Sequence, residues 1–507
     1  MRTPSVLPLA LLAVACVSEH GPLTNRMSQS ATPYLTRAAR QPVSWQPWGR
    51  EAFALAARLD RPILLYVGAD DCRWCAVMDR EVYGDPLLGA LIDSLFVPVR
   101  VDRDERPNVA RRYEAAVQWL AGLRGYPITV FLAPDGSAFF GGTYFPADDP
   151  LTGRGLKQIL PDVANSYREQ RATIMRRATL VRQLAAARAA RARGVLHPAS
   201  VQSEIVAVRT ALQAAAGADA ALGGFTHTQA VSLLLATFGR TGDSSYLDVA
   251  RTVLDFVVDS GGGAAAAPVR DDPPGPVRAG LLRNLAIGWA FTGERRYRDA
   301  AWSLLRRLAR DLGGQADRAV FADREAYVIG SVLEAATGLG DSVAAARAIG
   351  ALDTLLRRTY ERGRGVRHAA GATPGALLQD QVQVAGACLA AYGHTGTRRY
   401  LAVAQDLASV LDRDLADSAG GGYFEANATD AEEPALADRA KPVLDDLLPG
   451  PNAWAARVLL LLAEATGDTR YRRRAEETLE AFAGAVAGEG ARASSYLATA
   501  QHALAAR

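Results

Sequence analysis

Cysteine and histidine are scarce in this 507-residue chain, with four of the first and six of the second. So few cysteines rule out a disulfide-dense scaffold. No histidine lies between residues 21 and 196, so the first third offers no mixed cysteine and histidine metal set. Charge of one sign is lacking as well: 57 basic residues against 54 acidic leave a net charge of +3. Without polyelectrolyte character, nucleic acid is not expected as a partner. Past the N-terminus no apolar run is long enough to span a bilayer. What is present is a globular composition, 49% hydrophobic and 22% charged, over a length too great for one ordinary core. Two domains are expected.

The N-terminus carries Arg2 and then the apolar run Val6 to Ala15, closed by small residues and followed by Cys16. The run is too short to cross a membrane and fits a secretion signal. Its end looks like a bacterial lipoprotein signal, which implies lipidation of Cys16. The expectation is a signal peptide over 1–15, a tether over 16–24 and export to the bacterial envelope, with a lipid anchor as the only membrane attachment. An exported protein sits in a compartment that favours disulfides.

Cys72-Arg73-Trp74-Cys75 follows Pro62-Ile63-Leu64-Leu65-Tyr66-Val67, an apolar run with the length and β-branching of a buried strand, and precedes a segment with helical spacing. A thiolate at a helix N-terminus faces unpaired N–H groups and the positive end of the helix dipole, which lower its pKa. Cys72 is the expected attacking thiol and Cys75 the resolving one, with a Cys72–Cys75 disulfide in the oxidised protein. The same spacing could supply half of a zinc site, but the shortage of cysteine and histidine favours the redox reading. No metal and no cofactor are expected. Gly125-Tyr126-Pro127-Ile128-Thr129-Val130-Phe131 reads as a turn, a proline and a strand. In thioredoxin-like folds such a proline is cis and faces the cysteines. Pro127 therefore joins the catalytic set, with Tyr126 and Trp74 as binding side chains for a protein thiol or disulfide partner. The buried carboxylate of thioredoxins is replaced by Tyr66, so proton transfer at Cys75 would need water, Asp70, Asp71 or Asp79.

Several motifs recur together: Asn25-Arg26 with Ser28-Gln29-Ser30-Ala31-Thr32-Pro33-Tyr34-Leu35, Trp45-Gln46-Pro47-Trp48-Gly49, the CxxC with Val77-Met78, Val101 to Pro107, Gly125 to Leu132 and Gly141 to Pro146. In combination they resemble the spermatogenesis-associated protein 20 family, whose bacterial members are thioredoxin-domain proteins of unknown function. That family usually reads Cys-His-Trp-Cys-His, where Arg73 and Ala76 stand here. The thioredoxin-like α/β domain is assigned to 25–165 and a connecting helix to 166–200.

Residues 201–507 show helical spacing and an internal repeat. Thr241-Gly242, Thr292-Gly293, Thr395-Gly396 and Thr466-Gly467 each have a tyrosine four residues after the glycine, and Thr337-Gly338 begins a degenerate copy. The glycine can end one helix in a left-handed conformation and the tyrosine can pack at the start of the next. Such hairpins bury their faces only against neighbours, in an α/α toroid or an α-solenoid. The resemblance favours an all-α toroid similar to six-hairpin glycosidases and N-acylglucosamine 2-epimerases, in which long loops at one end build a carbohydrate pocket. Gly223-Gly224-Phe225, Gly420 to Glu425, Arg439 to Asp446 and Pro449 to Asn452 are the candidate loops, and Asp380, Glu425, Asp445 and Asp446 the candidate acids. Two motifs of the family are replaced here, by Thr226 to Ala230 and by Val277 to Gly280, which implies a degenerate pocket. Cys388, in an apolar helical run, reads as buried and inert. The leading functional expectation is a thiol-disulfide oxidoreductase-like protein with the toroid as partner or ligand-binding domain. The alternative is a toroid that binds or modifies a carbohydrate-like ligand beside a non-catalytic thioredoxin-like domain.

Overall fold

The computed structural model describes residues 23–149, 154–190, 192–216, 228–259, 275–312, 321–369, 372, 377–427 and 439–505. Cys16, the signal stretch and the candidate loop Gly223-Gly224-Phe225 lie outside them. Among the described residues no helix is long and apolar enough to cross a membrane.

The N-terminal domain has helices α1 (Pro33–Arg37), α2 (Arg50–Leu59), α3 (Arg73–Glu81), α4 (Pro86–Leu95) and α5 (Pro107–Ala121) around one sheet. Its strands are β1 (Gln46–Pro47), β2 (Ile63–Gly68), β3 (Val97–Asp102), β4 (Ile128–Leu132) and β5 (Ala138–Gly142), in the spatial order β1-β3-β2-β4-β5. β3 runs parallel to β1 and β2, whereas β4 and β5 are antiparallel to their neighbours. This is the thioredoxin-like arrangement. The strands are apolar on both faces because both are covered. With the period of two of a pleated strand, Ile63, Leu65 and Val67 join Val97, Val99 and Val101 in one core. Leu64 and Tyr66 point the other way, into a second core with Trp45, Met78 and Phe131. A longer helix, α6 (Leu156–Ala190), leaves this domain after packing against α4 and β5.

Eleven of the helices that follow are α7 (Pro198–Ala216), α8 (Thr228–Thr241), α9 (Ser244–Asp259), α10 (Gly275–Thr292), α11 (Arg295–Asp311), α12 (Ala322–Leu339), α13 (Ser342–Thr359), α14 (Leu378–Thr395), α15 (Arg398–Val410), α16 (Pro451–Thr466) and α17 (Thr469–Glu480). α18 (Ser494–Ala505) is the twelfth. A two-residue hairpin, β6 (Tyr360–Glu361) and β7 (Gly365–Val366), follows α13. Six helices form an inner ring in the order α8, α10, α12, α14, α16, α18, and α18 packs back against α8. Each of α8 to α16 in that ring pairs with the helix after it outside, and α7 covers α18. Ring closure decides for the toroid over the solenoid.

Position in the ring follows composition. The inner helix α12 buries residues all round, from Ala322 and Tyr327 to Ser331, Val332 and Ala336. The outer helix α11 buries one stripe, Tyr297, Ala300, Ala301, Leu304, Leu305 and Leu308, and turns its arginines outward. The Thr-Gly repeats are the short turns from inner to outer helix. Gly242, Gly293, Gly396 and Gly467 have φ of 71°, 70°, 66° and 72°, while in the degenerate copy Gly340 takes this role at 74°. The long connections gather at the opposite end, where α12, α14, α16 and α18 begin. The N-terminal domain docks on that end.

Candidate functional site

Cys72 is the N-cap of α3, and its Sγ accepts the N–H of Cys75 at 3.1 Å. The two cysteines form a disulfide, with Cys72 half-buried and Cys75 0% exposed. The local sequence dictates this: β2 ends at Gly68, Ala69 to Asp71 turn, and the helix starts one residue after the first cysteine. The Tyr126–Pro127 peptide is cis. Trp74 is 54% exposed beside the disulfide and leans on Tyr144, with ring centroids 5.0 Å apart. Tyr126 lies under the guanidinium of Arg103, 5.1 Å away.

The acids named beside water as proton carriers for Cys75 are each engaged in an ion pair. Asp70 pairs with Arg37, Asp71 with Arg103, and Asp79 with Arg100 through bonds of 2.7 and 2.8 Å. Arg100 is 1% exposed and stacks over Tyr34 and Tyr66 at 4.4 and 5.0 Å. The side chain that packs beside the buried sulfur is Tyr34. A Cβ on Gly68 would fall 2.1 Å from the Tyr34 hydroxyl oxygen and 3.1 Å from Cys75 Sγ, so only glycine allows this approach. Burial pushes the Tyr34 hydroxyl far up, against the pull of Arg100, and its oxygen is buried without a hydrogen-bond partner. Tyr66, in the place of the thioredoxin carboxylate, directs its hydroxyl to the Cys75 carbonyl at 3.4 Å. A carboxylate does stand next to this network, but on β3. Asp102 is paired in register with Gly68, and burial, aided by Asp104, raises it to about 6.

Asp380, Glu425 and Asp445 all lie at the loop-rich end of the toroid, yet each is engaged separately. Glu425 is buried and pairs with Arg111 of α5 across the domain boundary. Asp445 is buried, pushed up to about 7 by that burial, and accepts the N–H groups of Gly450 and Ser495 at 2.8 Å each, holding the starts of α16 and α18. Asp446, for its part, donates its backbone N–H to the Leu448 carbonyl. The loops are likewise knitted together. Asn452 accepts the Tyr423 N–H at 2.8 Å and donates to the Tyr423 and Pro442 carbonyls. A cavity of about 290 Å³ in this structure is lined by Arg26, Gln29, Trp48, Arg100, Asp102 and Arg106 among others, and none of its lining residues comes from the toroid.

Asp380 meets His368, which follows β7, and Asp323, in the first turn of α12. His368 Nδ1 is 2.9 Å from Asp380 Oδ1, and Nε2 donates to the Asp104 carbonyl of the N-terminal domain at 2.7 Å. Burial alone would lower the imidazole, but Asp380 and Asp323 lift it to about 9. Beside it, the Asp104 carboxylate bridges Arg103 and Arg324, so ion pairs run from Asp71, next to Cys72, to α12. Sequence reasoning missed His368, Asp323 and Tyr34. Only Tyr34 carried a signal, within the Pro33-Tyr34-Leu35 motif. Cys388 is buried, and burial raises its thiol far above the ordinary range.

Residues 24–185 match the family model Thioredox_DsbH, described as "Protein of unknown function, DUF255". Spermatogenesis-associated protein 20 of rat and of human are each 39% identical over 151 residues, 30% of this chain and 19% of theirs. An uncharacterised Caenorhabditis elegans protein is 35% identical over 175 residues, 34% of this chain and 24% of its own. The match thus spans about a fifth of the length of these curated relatives. Among solved structures, an unsaturated glucuronyl hydrolase specific for heparin aligns with a TM-score of 0.47 at 13% identity, over 61% of this chain and 98% of its own. A cellobiose 2-epimerase from Bacillus thermoamylovorans aligns with a TM-score of 0.39 at 10% identity, over 50% and 74%. The toroid assignment rests on the closed helix ring itself.

Proposed function

We propose that this chain, whose N-terminal domain belongs to the spermatogenesis-associated protein 20 family, exchanges thiols and disulfides with a protein partner through Cys72 and Cys75. The observation that carries the reading is the position of Cys72: it caps α3, is half-buried where Cys75 is fully buried, and receives the Cys75 N–H on its sulfur. A thiolate there is favoured by the helix N-terminus. In the reducing direction the Cys72 thiolate attacks a partner disulfide, a mixed disulfide forms, and one partner sulfur leaves as thiolate. Cys75, once deprotonated, attacks Cys72 Sγ and releases the second partner thiolate. Two electrons pass from the CxxC to the partner, and the reverse sequence oxidises a dithiol. Trp74, exposed within the CxxC, and Tyr126, before the cis proline, are the side chains offered to the partner.

Alkylation rates against pH on Cys72→Ser and Cys75→Ser test this. Cys72 in Cys75→Ser is expected to titrate below the free-cysteine value of about 8.5 and to trap mixed disulfides. Cys75 in Cys72→Ser is expected to react slowly and trap none. A Cys72 thiol titrating at or above the free value would sink the proposal.

A further inference from the structure

We propose that Asp323, His368 and Asp380 form a divalent-cation site of the zinc class, closed over by the Asp104 carbonyl of the N-terminal domain. The tautomer makes the case. Nε2–H is donated to a backbone carbonyl at 2.7 Å, the outer contact that orients metal-binding histidines and leaves Nδ1 as the ligand atom. That nitrogen faces Asp380 Oδ1 at 2.9 Å, so either a proton on Nδ1 or a cation bound to one side by both atoms must relieve the repulsion of their lone pairs. With both aspartates ionised, a proton alone leaves two carboxylates against one imidazolium in a site shut off from water, eased only by the N–H groups of Asp323 and Arg324, which donate to Asp380 Oδ1 and Asp323 Oδ1 at 3.1 and 2.8 Å. Among the described residues no lysine or arginine pairs with either aspartate; Arg324, the adjacent cation, is held by Asp104. Asp380 Oδ2 is buried without a hydrogen-bond partner, and Asp323 Oδ1 is 3.9 Å from Nδ1. A divalent ion answers both the charge and the orphaned oxygen.

The donor set selects the ion. One imidazole nitrogen with two carboxylates suits zinc, whereas calcium and magnesium take all-oxygen shells of six or more. Donors at about 2.1 Å from a tetrahedral zinc lie about 3.4 Å from one another, between the 2.9 and 3.9 Å found here. The residues His368, Asp323 and Asp380 are 4%, 5% and 0% exposed, and the ring is held flat against Phe321 at 5.0 Å and 19°. The three ligands come from α12, the segment after β7 and α14, so an ion here would fasten two inner helices and, through Asp104, the N-terminal domain.

The test uses the full chain with its CxxC oxidised, so that no thiol pair competes. After exposure to zinc and gel filtration, elemental analysis is expected to find one zinc per chain, unchanged in a Cys72→Ser, Cys75→Ser double variant. Asp380→Asn and His368→Gln should each weaken zinc binding at least tenfold, by competition with a chromophoric chelator. A second readout on the wild type covers the case in which these variants fail to fold: zinc should raise the melting temperature of the chelator-treated protein, and Asp323→Asn should reduce that rise. Substoichiometric zinc with no shift in melting temperature would overturn the proposal. So would zinc retained in full by both Asp380→Asn and His368→Gln.

Discussion

Asp102 shows how a single buried carboxyl sets a pH dependence in this fold. Its folded pKa, raised from 3.8 to about 6, means that the native state binds a proton more tightly than the unfolded chain. The contribution of this group to stability is complete below about pH 4 and is lost as the pH rises through 6. Asp102→Asn keeps an acceptor for the Asp104 N–H, a 2.9 Å bond in the wild type, and cannot ionise. Urea unfolding from pH 4 to 8 should show a shallower decline in the variant than in the wild type, the remainder coming from groups such as Asp445. Each tenfold change in proton affinity is worth about 1.4 kcal/mol, so the gain above pH 6 should reach at most about 3 kcal/mol. A difference between wild type and variant that does not change between pH 4.5 and 7 would contradict the assignment. The residue scale was also where the sequence was least legible. The strand, the CxxC and the proline could be read because each is a local pattern. The packing of Tyr34 beside Cys75 depends on Gly68 lacking a side chain. His368, Asp323 and Asp380 come from three separate segments, and no spacing announces them.

At the scale of elements, the Thr-Gly repeats were legible because each does its work within six residues. In each copy the threonine hydroxyl donates to the carbonyl four residues back, as from Thr395 to Ala391 at 2.7 Å and from Thr466 to Leu462 at 2.6 Å. It then accepts the N–H two residues on, from Thr397 at 3.1 Å and from Asp468 at 3.2 Å. The glycine turns the chain with positive φ, and the tyrosine after it meets the neighbouring outer helix, as Tyr400 does at Asp353 over 2.9 Å. Gly396 has nothing within 4 Å of where a Cβ would stand. Gly396→Ala should therefore cost only the left-handed backbone penalty, about 1 kcal/mol, read as a lower urea midpoint with an unchanged slope. A loss of more than about 3 kcal/mol would mean that packing, and not φ, fixes this glycine. The closure of five such pairs and α18 with α7 into a ring was not legible, because the contact that closes it joins the first inner helix to the last.

Over the whole molecule, the N-terminal domain covers the toroid end where carbohydrate loops were expected, and the acids proposed for a sugar instead hold helix starts or the domain boundary. Among the described residues two ion pairs cross that boundary, Arg111 to Glu425 and Arg324 to Asp104, with side-chain exposures of 26% or less. Pairs this sheltered are weakly screened by salt, and truncating one partner strands a buried charge. Arg111→Ala with Arg324→Ala should loosen the docking, seen as a larger radius of gyration in solution scattering and faster proteolysis around residues 191–198. A double variant as compact as the wild type would show that apolar contacts hold the domains together. The seam between α8 and α18 carries a different consequence, one of timing. Thr237, fully buried, donates to Gln501, 264 positions further along the chain. At about 5–20 residues per second, a ribosome needs on the order of 10–50 s to deliver that partner. For that interval the flank of α8 lies open to water and to other nascent chains, and a chaperone that shields it during synthesis would act before the ring can close.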